Sequence, residues 1–205
     1  MAKYEIKPTP MEGALVIAPE AEGESRDYLF DLEAGAAEYE AMGIPEEITH
    51  HTAETFARGV IRGLHFQRKD SCGVLLAVTS GRALAVATDL RPESKTFGAS
   101  HAVELTTENE RMLYVPPYFA YGFLTLEQKT EVVANFTGEY DSSTVSSIIW
   151  DDEILAIDWQ FERFDIDQKR LNISQKDKKA PSFRSYNQNT LWVNRPKKSK
   201  YAIGY

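Results

Sequence analysis

Short runs of β-branched and aromatic residues, separated by turn residues, occupy most of the chain between residues 60 and 150. Glycine, paired prolines and an Asp-Ser-Ser turn separate the runs, which cover residues 60–67, 74–79, 83–88, 112–115, 123–126, 131–136 and 145–150. Many short strands at close spacing are typical of a β-sandwich or a β-barrel. A chain of 205 residues can bury one good hydrophobic core, so we expect a single all-β domain.

Few helices are expected. Residues 32–42 predict one helix, which Gly43 ends as its C-terminal glycine. The charged stretch at residues 168–179 predicts a short helix or an ordered loop on the outside. Residues 187–205 combine Trp and Tyr with a Pro-Lys-Lys-Ser-Lys run, which predicts either a solvated tail or a segment that docks on a neighbouring subunit or surface.

The charge balance and the lack of long apolar runs exclude several classes of protein. The 31 acidic residues outnumber the 23 basic ones, and the net charge of −8 argues against a nucleic acid or an anionic membrane as partner. No apolar run reaches membrane-spanning length, and the first residues lack a secretory pattern. Cys72 is the only cysteine and cannot form an internal disulfide, so we expect a cytoplasmic protein.

One histidine lies inside the strand-like run at residues 60–67. In an extended strand His65 shares a face with Gln67, and Arg62 lies on the opposite face unless Gly63 marks a bulge. A histidine on a buried strand is either a satisfied core group or a positioned acid or base. The segment alone favours the core group, because histidines without a motif are common.

A metal site is not expected. Double-stranded β-barrels that hold iron or manganese use three or four clustered histidine or carboxylate ligands. This chain has four histidines and no His-x-His pair, and His50 and His51 point to opposite faces if the chain is extended there. We therefore expect neither a metal nor another cofactor.

Several longer motifs follow one another along the chain. They are Arg-Gly-Leu-His-Phe-Gln at 62–67, Asp-Leu-Arg with a following Ser and Thr-Phe-Gly at 89–98, Phe-Ala-Tyr-Gly-Phe at 119–123, Ile-Ile-Trp-Asp-Asp-Glu at 148–153, and an Ile-Ser to Pro run at 173–181. In this succession they resemble the motifs of the dTDP-4-dehydrorhamnose 3,5-epimerase family, and the resemblance covers residues 3–183.

The resemblance implies the fold and the assembly. The expected fold is a cupin-type, jelly-roll double-stranded β-barrel with a few short helices. Residues 1–184 would form one epimerase-like domain, and residues 185–205 a C-terminal extension. The expected assembly is a homodimer that exchanges N-terminal strands and binds a nucleotide-diphosphate sugar.

The chemistry implied by the resemblance needs a base and an acid. Inversion of a carbon next to a keto group requires one group to remove a proton and another to return one on the other face, and imidazole suits the base because its pKa lies near neutrality. By resemblance His65 is the base and Asp152 is the carboxylate that orients it. The alternative for Asp152 is a turn carboxylate after Trp150.

Two arginines are predicted to bind the diphosphate. Arg62 and Arg26 match the family's phosphate-side arginines, and the arginine fork suits phosphate oxygens. In the family the N-terminal strand reaches into the partner subunit, which implies that Arg26, Tyr28 and Asp31 belong to the neighbour's site. Gln67 is predicted to contact the substrate in the same site as Arg62.

Several pocket positions depart from the family pattern. The family's tyrosine acid aligns with Ala134, and a lysine near the enolate oxygen aligns with Val74. At two positions where the family has Gln and Asn, this chain has His50 and Thr52, and both are still predicted to bind substrate. The histidine of the family's Ala-His-Gly-Phe motif is Tyr121. We predict that Tyr121 takes over the polar role and returns the proton, the alternative being a steric or sugar-stacking role.

Three functions remain open at this stage. The first is an epimerase that inverts one carbon next to the keto group of a nucleotide-linked 4-keto-6-deoxyhexose, in the biosynthesis of deoxysugars for cell-surface polysaccharides. The second is another enolisation-based enzyme on the same substrate class, such as a keto-sugar isomerase. The third is a non-catalytic binder of sugar nucleotides. A retained base and its orienting carboxylate favour the two enzymes.

Overall fold

Two antiparallel β-sheets face each other in the computed structural model, which describes residues 4–19, 36–44 and 47–188. The predicted all-β class is confirmed. The strands are β1 (Tyr4–Pro8), β2 (Leu15–Pro19), β3 (Ile48–Phe56), β4 (Val60–Gln67), β5 (Val74–Ser80), β6 (Arg82–Asp89), β7 (Ser100–Thr106), β8 (Met112–Val115), β9 (Phe119–Thr125), β10 (Thr130–Thr137), β11 (Val145–Ser147) and β12 (Asn172–Ile173). The helices are α1 (Ala36–Ala41), α2 (Gln175–Lys178) and α3 (Phe183–Gln188), with 3₁₀ turns at Ser142–Thr144 and Gln168–Arg170.

The first sheet has the strand order β1-β2-β8-β5-β10-β3, and the second has the order β11-β4-β9-β6-β7, with β12 added beside β4. Alternate residues of the two sheets point between them and fill the barrel interior, where Leu76, Ala85 and Leu113 are fully buried. A second apolar cluster covers the outer face of the second sheet, and a third lies under α1 on the first sheet. The interior cluster and the two outer ones hold the strands in register.

The predicted helix before Gly43 is present as α1. Gly43 adopts φ = 77° and its N–H donates to the carbonyl of Glu40, as expected for a glycine that ends a helix. Among the described residues, no helix is both long and apolar enough to cross a membrane. The predicted boundary after residue 184 lies inside α3, and the division into a domain and an extension stays a prediction. Most of the predicted extension lies outside the described residues.

A bulge in β4 sets the direction of the side chains that follow. Arg62 pairs with Phe123 and His65 pairs with Tyr121, so three steps along β4 match two steps along β9. Gly63 adopts φ = 106°, and a Cβ at this position would lie 2.6 Å from the carbonyl oxygen of Tyr121. Arg62 and His65 consequently face the barrel interior together, and the prediction of opposite faces holds only for a strand without this bulge.

Candidate active site

His65 and Asp177 form a hydrogen-bonded pair at the edge of the barrel interior. His65 Nε2 lies 2.7 Å from Asp177 Oδ1, and the Asp177 side chain is 1% exposed against 20% for His65. The two residues are 112 positions apart in the chain. β12 joins them in space, because Ile173 pairs in parallel with Ile61 of β4 and α2 begins directly after β12.

The charge state of Asp177 follows from its surroundings. Burial alone would raise the pKa of this carboxyl, but the hydrogen bond with His65 and the charge of that ring, with smaller contributions from the nearby Ser174 hydroxyl and Gly63 N–H, hold the pKa below its ordinary value. Asp177 is therefore an anion at neutral pH and accepts the proton on Nε2 of His65. In the neutral imidazole the lone pair is then on Nδ1, so the ring is prepared to act as a base.

The prediction that Asp152 orients His65 is wrong. Asp152 Oδ1 accepts hydrogen bonds from the backbone N–H groups of Ile154 (2.9 Å) and Leu155 (3.1 Å), and Oδ2 accepts one from Phe183 (2.8 Å). Both oxygens therefore accept from backbone N–H groups, Oδ1 at the turn after Trp150 and Oδ2 at the start of α3. This is the alternative of a turn carboxylate, and Asp177 is the orienting carboxylate that sequence reasoning missed.

Asp177 lies in the charged stretch that was expected on the outside. That stretch forms a 3₁₀ turn, β12 and the short helix α2, and of its residues only Asp177 is buried. Ser174 caps α2, and its Oγ accepts from the Asp177 N–H at 3.0 Å. A Ser followed three residues later by an acidic residue is the sequence pattern of a helix N-terminus. That pattern was available in the sequence, but it does not reveal that the carboxylate is buried against β4.

Tyr121 lies beside His65 on the neighbouring strand. The two residues pair directly between β4 and β9, and their ring centroids are 6.1 Å apart in an edge-on arrangement. Burial raises the pKa of the Tyr121 phenol, and the nearby Tyr140, Cys72 and Glu54 raise it further. Tyr121 is therefore protonated at neutral pH, and its hydroxyl can donate. Its predicted role in returning the proton stays a prediction.

The opposite wall of the site belongs to the first sheet. Thr52 of β3 pairs with Ala134 of β10, and His50 pairs with Phe136. Ala134 and Phe136 belong to the interior cluster, so the paired His50 and Thr52 share that inner face. Ala134 offers only a methyl group at the position where the family has its tyrosine acid. The predicted substrate contacts of His50 and Thr52 stay predictions.

A stack of aromatic rings continues this wall beyond β10. Tyr140 stacks on His50, with ring centroids 4.6 Å apart and an interplanar angle of 6°. Its ring also lies 4.3 Å from that of Phe136. Tyr140, Phe136 and Tyr121 together line a cleft between the sheets, which Cys72 and Val74 also border. The cleft is thus mostly aromatic and apolar.

Gln67 also lines the cleft, but its side chain already has partners. Its Oε1 accepts from the Cys72 thiol at 2.8 Å, and its Nε2 donates to the carbonyls of Asp70 and Glu139, both at 3.3 Å. Gln67 therefore ties together the loops around the cleft. Its predicted contact with substrate stays a prediction.

Arg62 provides the positive charge of the site. Its guanidinium lies over the ring of Phe56, 5.1 Å from the centroid, and one N–H group donates to the carbonyl of Ile61. No carboxylate in residues 4–19, 36–44 or 47–188 forms an ion pair with Arg62. Its remaining donors can therefore bind an anion. Arg26, Tyr28 and Asp31 lie outside the described residues.

Metal ligands do not assemble at this site. Across the described parts of the chain, no group of three or more His, Cys, Asp or Glu side chains is placed to hold a metal ion. The polar groups of the site are instead an imidazole with its carboxylate, a guanidinium and phenols. This set can move a proton and bind an anion.

Comparison with known proteins assigns the family. The family model described as dTDP-4-dehydrorhamnose 3,5-epimerase matches residues 8–185. The chain belongs to this family. A dTDP-4-dehydrorhamnose 3,5-epimerase of Methanothermobacter thermautotrophicus is 36% identical over 178 residues, which cover 87% of this chain and 94% of the relative. The Salmonella typhimurium enzyme is 33% identical over 174 residues, covering 84% and 92%.

Solved structures agree with the family assignment. The dTDP-4-dehydrorhamnose 3,5-epimerase of Elizabethkingia anophelis superposes with a TM-score of 0.78 at 30% identity, covering 90% of this chain and 99% of that one. The Legionella pneumophila dTDP-6-deoxy-D-glucose-3,5-epimerase, solved with dTDP-4-keto-L-rhamnose, gives a TM-score of 0.76 at 30% identity, covering 87% and 92%. The predicted cupin-type, jelly-roll fold is thereby confirmed.

Proposed function

We propose that this protein is an epimerase that inverts a carbon next to the keto group of a nucleotide-linked 4-keto-6-deoxyhexose. The observation that carries the proposal is the 2.7 Å pair of His65 and buried Asp177, next to Tyr121 of the interior cleft, in a member of this family. Relatives over nearly the whole chain bear the name dTDP-4-dehydrorhamnose 3,5-epimerase, so a dTDP-linked sugar is the first substrate to test.

His65 is the base in the proposed reaction. Its Nδ1 lone pair takes the proton from the carbon next to the ketone, and the electrons of that C–H bond move to the ketone oxygen to form an enolate. Asp177 holds the Nε2 proton and stabilises the imidazolium that forms. A proton then returns to the carbon from the other face, and the imidazolium releases the removed proton to solvent. The overall reaction consumes no proton.

Arg62 is proposed to bind the diphosphate, because it is a cation without a carboxylate partner among the described residues and its fork matches phosphate oxygens. We further propose a homodimer in which Arg26, Tyr28 and Asp31 complete the neighbour's site. The Legionella complex with a dTDP-keto sugar and a Bacillus anthracis relative solved with TDP and PPi support a nucleotide-sugar site. A monomer at micromolar concentration in sedimentation would remove the basis for the exchanged strand.

The test is incubation with a dTDP-linked 4-keto-6-deoxyhexose in deuterium oxide, followed by NMR of the recovered sugar. We expect deuterium at a carbon next to the ketone and an inverted configuration there. Deuterium with a migrated keto group would instead identify a keto-sugar isomerase. Tight binding without deuterium uptake would identify a non-catalytic binder.

A further inference from the structure

We propose that Glu54, on the inner face of β3, binds a ring hydroxyl of the hexose from the wall opposite His65. The proposal rests on the epimerase function proposed above and names a residue within it that selects the sugar. Sequence reasoning did not single out Glu54. A sugar that lacks the bound hydroxyl would be a poor substrate.

Strand pairing places the Glu54 side chain on the inner face of the first sheet. Glu54 of β3 pairs with Val132 of β10, two residues along from the pair of Thr52 and Ala134. Directly paired residues of antiparallel strands point to the same face, and Val132 and Ala134 both belong to the interior cluster. Glu54 and Thr52 therefore present polar groups to the interior beside two short apolar side chains.

Contacts across the interior put Glu54 at the level of the base. Two residues after Glu54, Phe56 packs on Phe123 of β9 with ring centroids 5.3 Å apart. Tyr121 lies two residues before Phe123 on β9. Burial is the main cause of the raised pKa of Tyr121, and the charge of Glu54 adds to it across the interior. Since His65 pairs with Tyr121 on the second sheet, Glu54 faces this pair from the opposite wall.

The chemistry of a carboxylate decides which part of the substrate it can bind. An ionised carboxylate accepts hydrogen bonds and donates none. The ketone and phosphate oxygens of the proposed substrate are also acceptors, and the anionic diphosphate suits Arg62 instead. The hexose ring offers donors only at its hydroxyls, on C2 and C3. One of these hydroxyls can donate to Glu54 while His65 reaches the carbon next to the ketone from the other wall.

The surroundings of Glu54 leave its carboxylate available for this contact. Glu54 is exposed, and in the part of the chain that the structure describes no cation forms an ion pair with it. A sugar hydroxyl that donates to the carboxylate forms a charge-assisted hydrogen bond, which is stronger than one between neutral groups. The contact can therefore separate sugars that have the hydroxyl from sugars that lack it.

The experiment is a double-mutant cycle between Glu54→Ala and the sugar hydroxyls. Its substrates are a dTDP-linked 4-keto-6-deoxyhexose and two analogues that lack the hydroxyl at C2 or at C3. We expect one analogue to lower kcat/KM of the wild-type enzyme by about 10- to 100-fold, the range for a hydrogen bond to a charged group. Glu54→Ala should lower kcat/KM for the full substrate by a similar factor, mainly through KM, and should no longer distinguish that analogue from it.

Two further variants control for side-chain chemistry and for charge. Glu54→Gln keeps a carbonyl that accepts, so it should recover part of the loss. Glu131→Gln removes one negative charge from the outer face of the same sheet, where Glu131 pairs with Thr55 and accepts from the Thr79 hydroxyl, and should keep the wild-type rates. Because Glu54 is exposed, both of its variants should unfold at nearly the wild-type temperature.

Three outcomes would overturn the proposal. Losses from Glu54→Ala and from both analogues that simply multiply would show that Glu54 binds neither hydroxyl. Unchanged kinetics in Glu54→Ala would mean that the carboxylate is only solvated, and retained deuterium uptake with loss of inversion alone would make it the proton donor. Failure of the proposed function looks different, since the wild-type enzyme then takes up no deuterium, and the same cycle on binding affinities by calorimetry still tests the contact.

Discussion

A carboxylate oxygen can hydrogen-bond to a histidine ring, and so orient it, only if other donors do not already occupy that oxygen. Asp177 keeps Oδ1 on His65, whereas both oxygens of Asp152 hold backbone N–H groups. We expect Asp177→Asn to lower kcat by about 100-fold or more with little change in nucleotide binding, because the amide favours the wrong imidazole tautomer. Asp152→Asn should instead lower the free energy of unfolding by about 1–3 kcal/mol, since its amide nitrogen cannot accept from backbone.

Steady-state kinetics and urea unfolding of both variants check this assignment of a catalytic role to Asp177 and a structural role to Asp152. If Asp152→Asn lost turnover at full stability, or Asp177→Asn kept it, the assignment of Asp177 as the orienting carboxylate would fail.

The base itself is tested by His65→Ala. We expect solvent deuterium uptake into the sugar to fall below detection, because the variant lacks the proposed base. Binding of dTDP, measured by calorimetry, should be nearly unchanged, since Arg62 and the aromatic wall remain. Normal exchange in His65→Ala would mean that the family relationship extends to the scaffold and not to the base.

At the scale of elements, the bulge in β4 places Arg62 and His65 on the same side of the second sheet. Gly63 and Gly59 both have positive φ, of 106° and 79°, but only at Gly63 would a Cβ collide with a neighbouring backbone. Both Ala variants are therefore strained, and Gly63→Ala must also push β4 away from β9. We expect Gly63→Ala to cost at least about 1–3 kcal/mol of unfolding free energy and most of the turnover.

Gly59→Ala is the matched control. It should cost about 1 kcal/mol for its positive φ and keep its kcat. Thermal unfolding and kinetics of both variants decide the question, and equal losses of stability and activity would show that the close approach to Tyr121 is not what fixes the site.

Local pattern was enough to predict β4, β5, β6, β8, β9, β10, β11 and α1, because alternation, glycine and proline act over a few residues. The predicted runs did not include β1, β2, β3, β7 or β12. The predicted run at residues 112–115 coincides with β8, and Gly43 ends α1 as expected. Asp177 could not be predicted in the same way. Its place in the site depends on β12 pairing with β4 across more than a hundred residues, and Asp152 was a plausible substitute until its backbone partners were seen.

At the scale of the whole molecule, a second buried carboxylate connects the turn after β6 to the start of β9. Asp89, at the end of β6, has a fully buried side chain and accepts hydrogen bonds from Arg91 Nε (2.9 Å) and Nη2 (2.8 Å). The hydroxyls of Ser94 (2.6 Å) and Thr96 (2.7 Å) donate to Oδ2, the oxygen that also accepts from Arg91 Nη2. The guanidinium of Arg91 also lies over the ring of Phe119, so this network joins the turn to the start of β9.

This network predicts how stability depends on pH. Burial alone would raise the pKa of Asp89, but Arg91, Ser94 and Thr96 hold it below its ordinary value, and Asp177 is likewise depressed. A folded pKa below the unfolded one stabilises the fold above the unfolded pKa, about 3.9, and the stabilisation is lost as pH falls through the folded value. We expect the free energy of unfolding contributed by these groups to be level from pH 7 to about 5 and to fall below about 4.

In Arg91→Met we expect the pKa shift of Asp89 to change sign, which tests whether Arg91 acts through the charge of Asp89. Without the guanidinium, the buried Asp89 anion keeps only hydroxyl and backbone donors, and we expect a loss of about 3–5 kcal/mol of unfolding free energy at pH 7. Burial then dominates and raises the folded pKa of Asp89 above its ordinary value, so part of that loss should be recovered as the pH falls and the carboxyl takes up a proton. Urea unfolding of both proteins at pH 7 and pH 4 measures this: the gap between wild type and Arg91→Met should narrow at pH 4, and a constant gap would show that Arg91 acts through its packing on Phe119 rather than through the charge of Asp89.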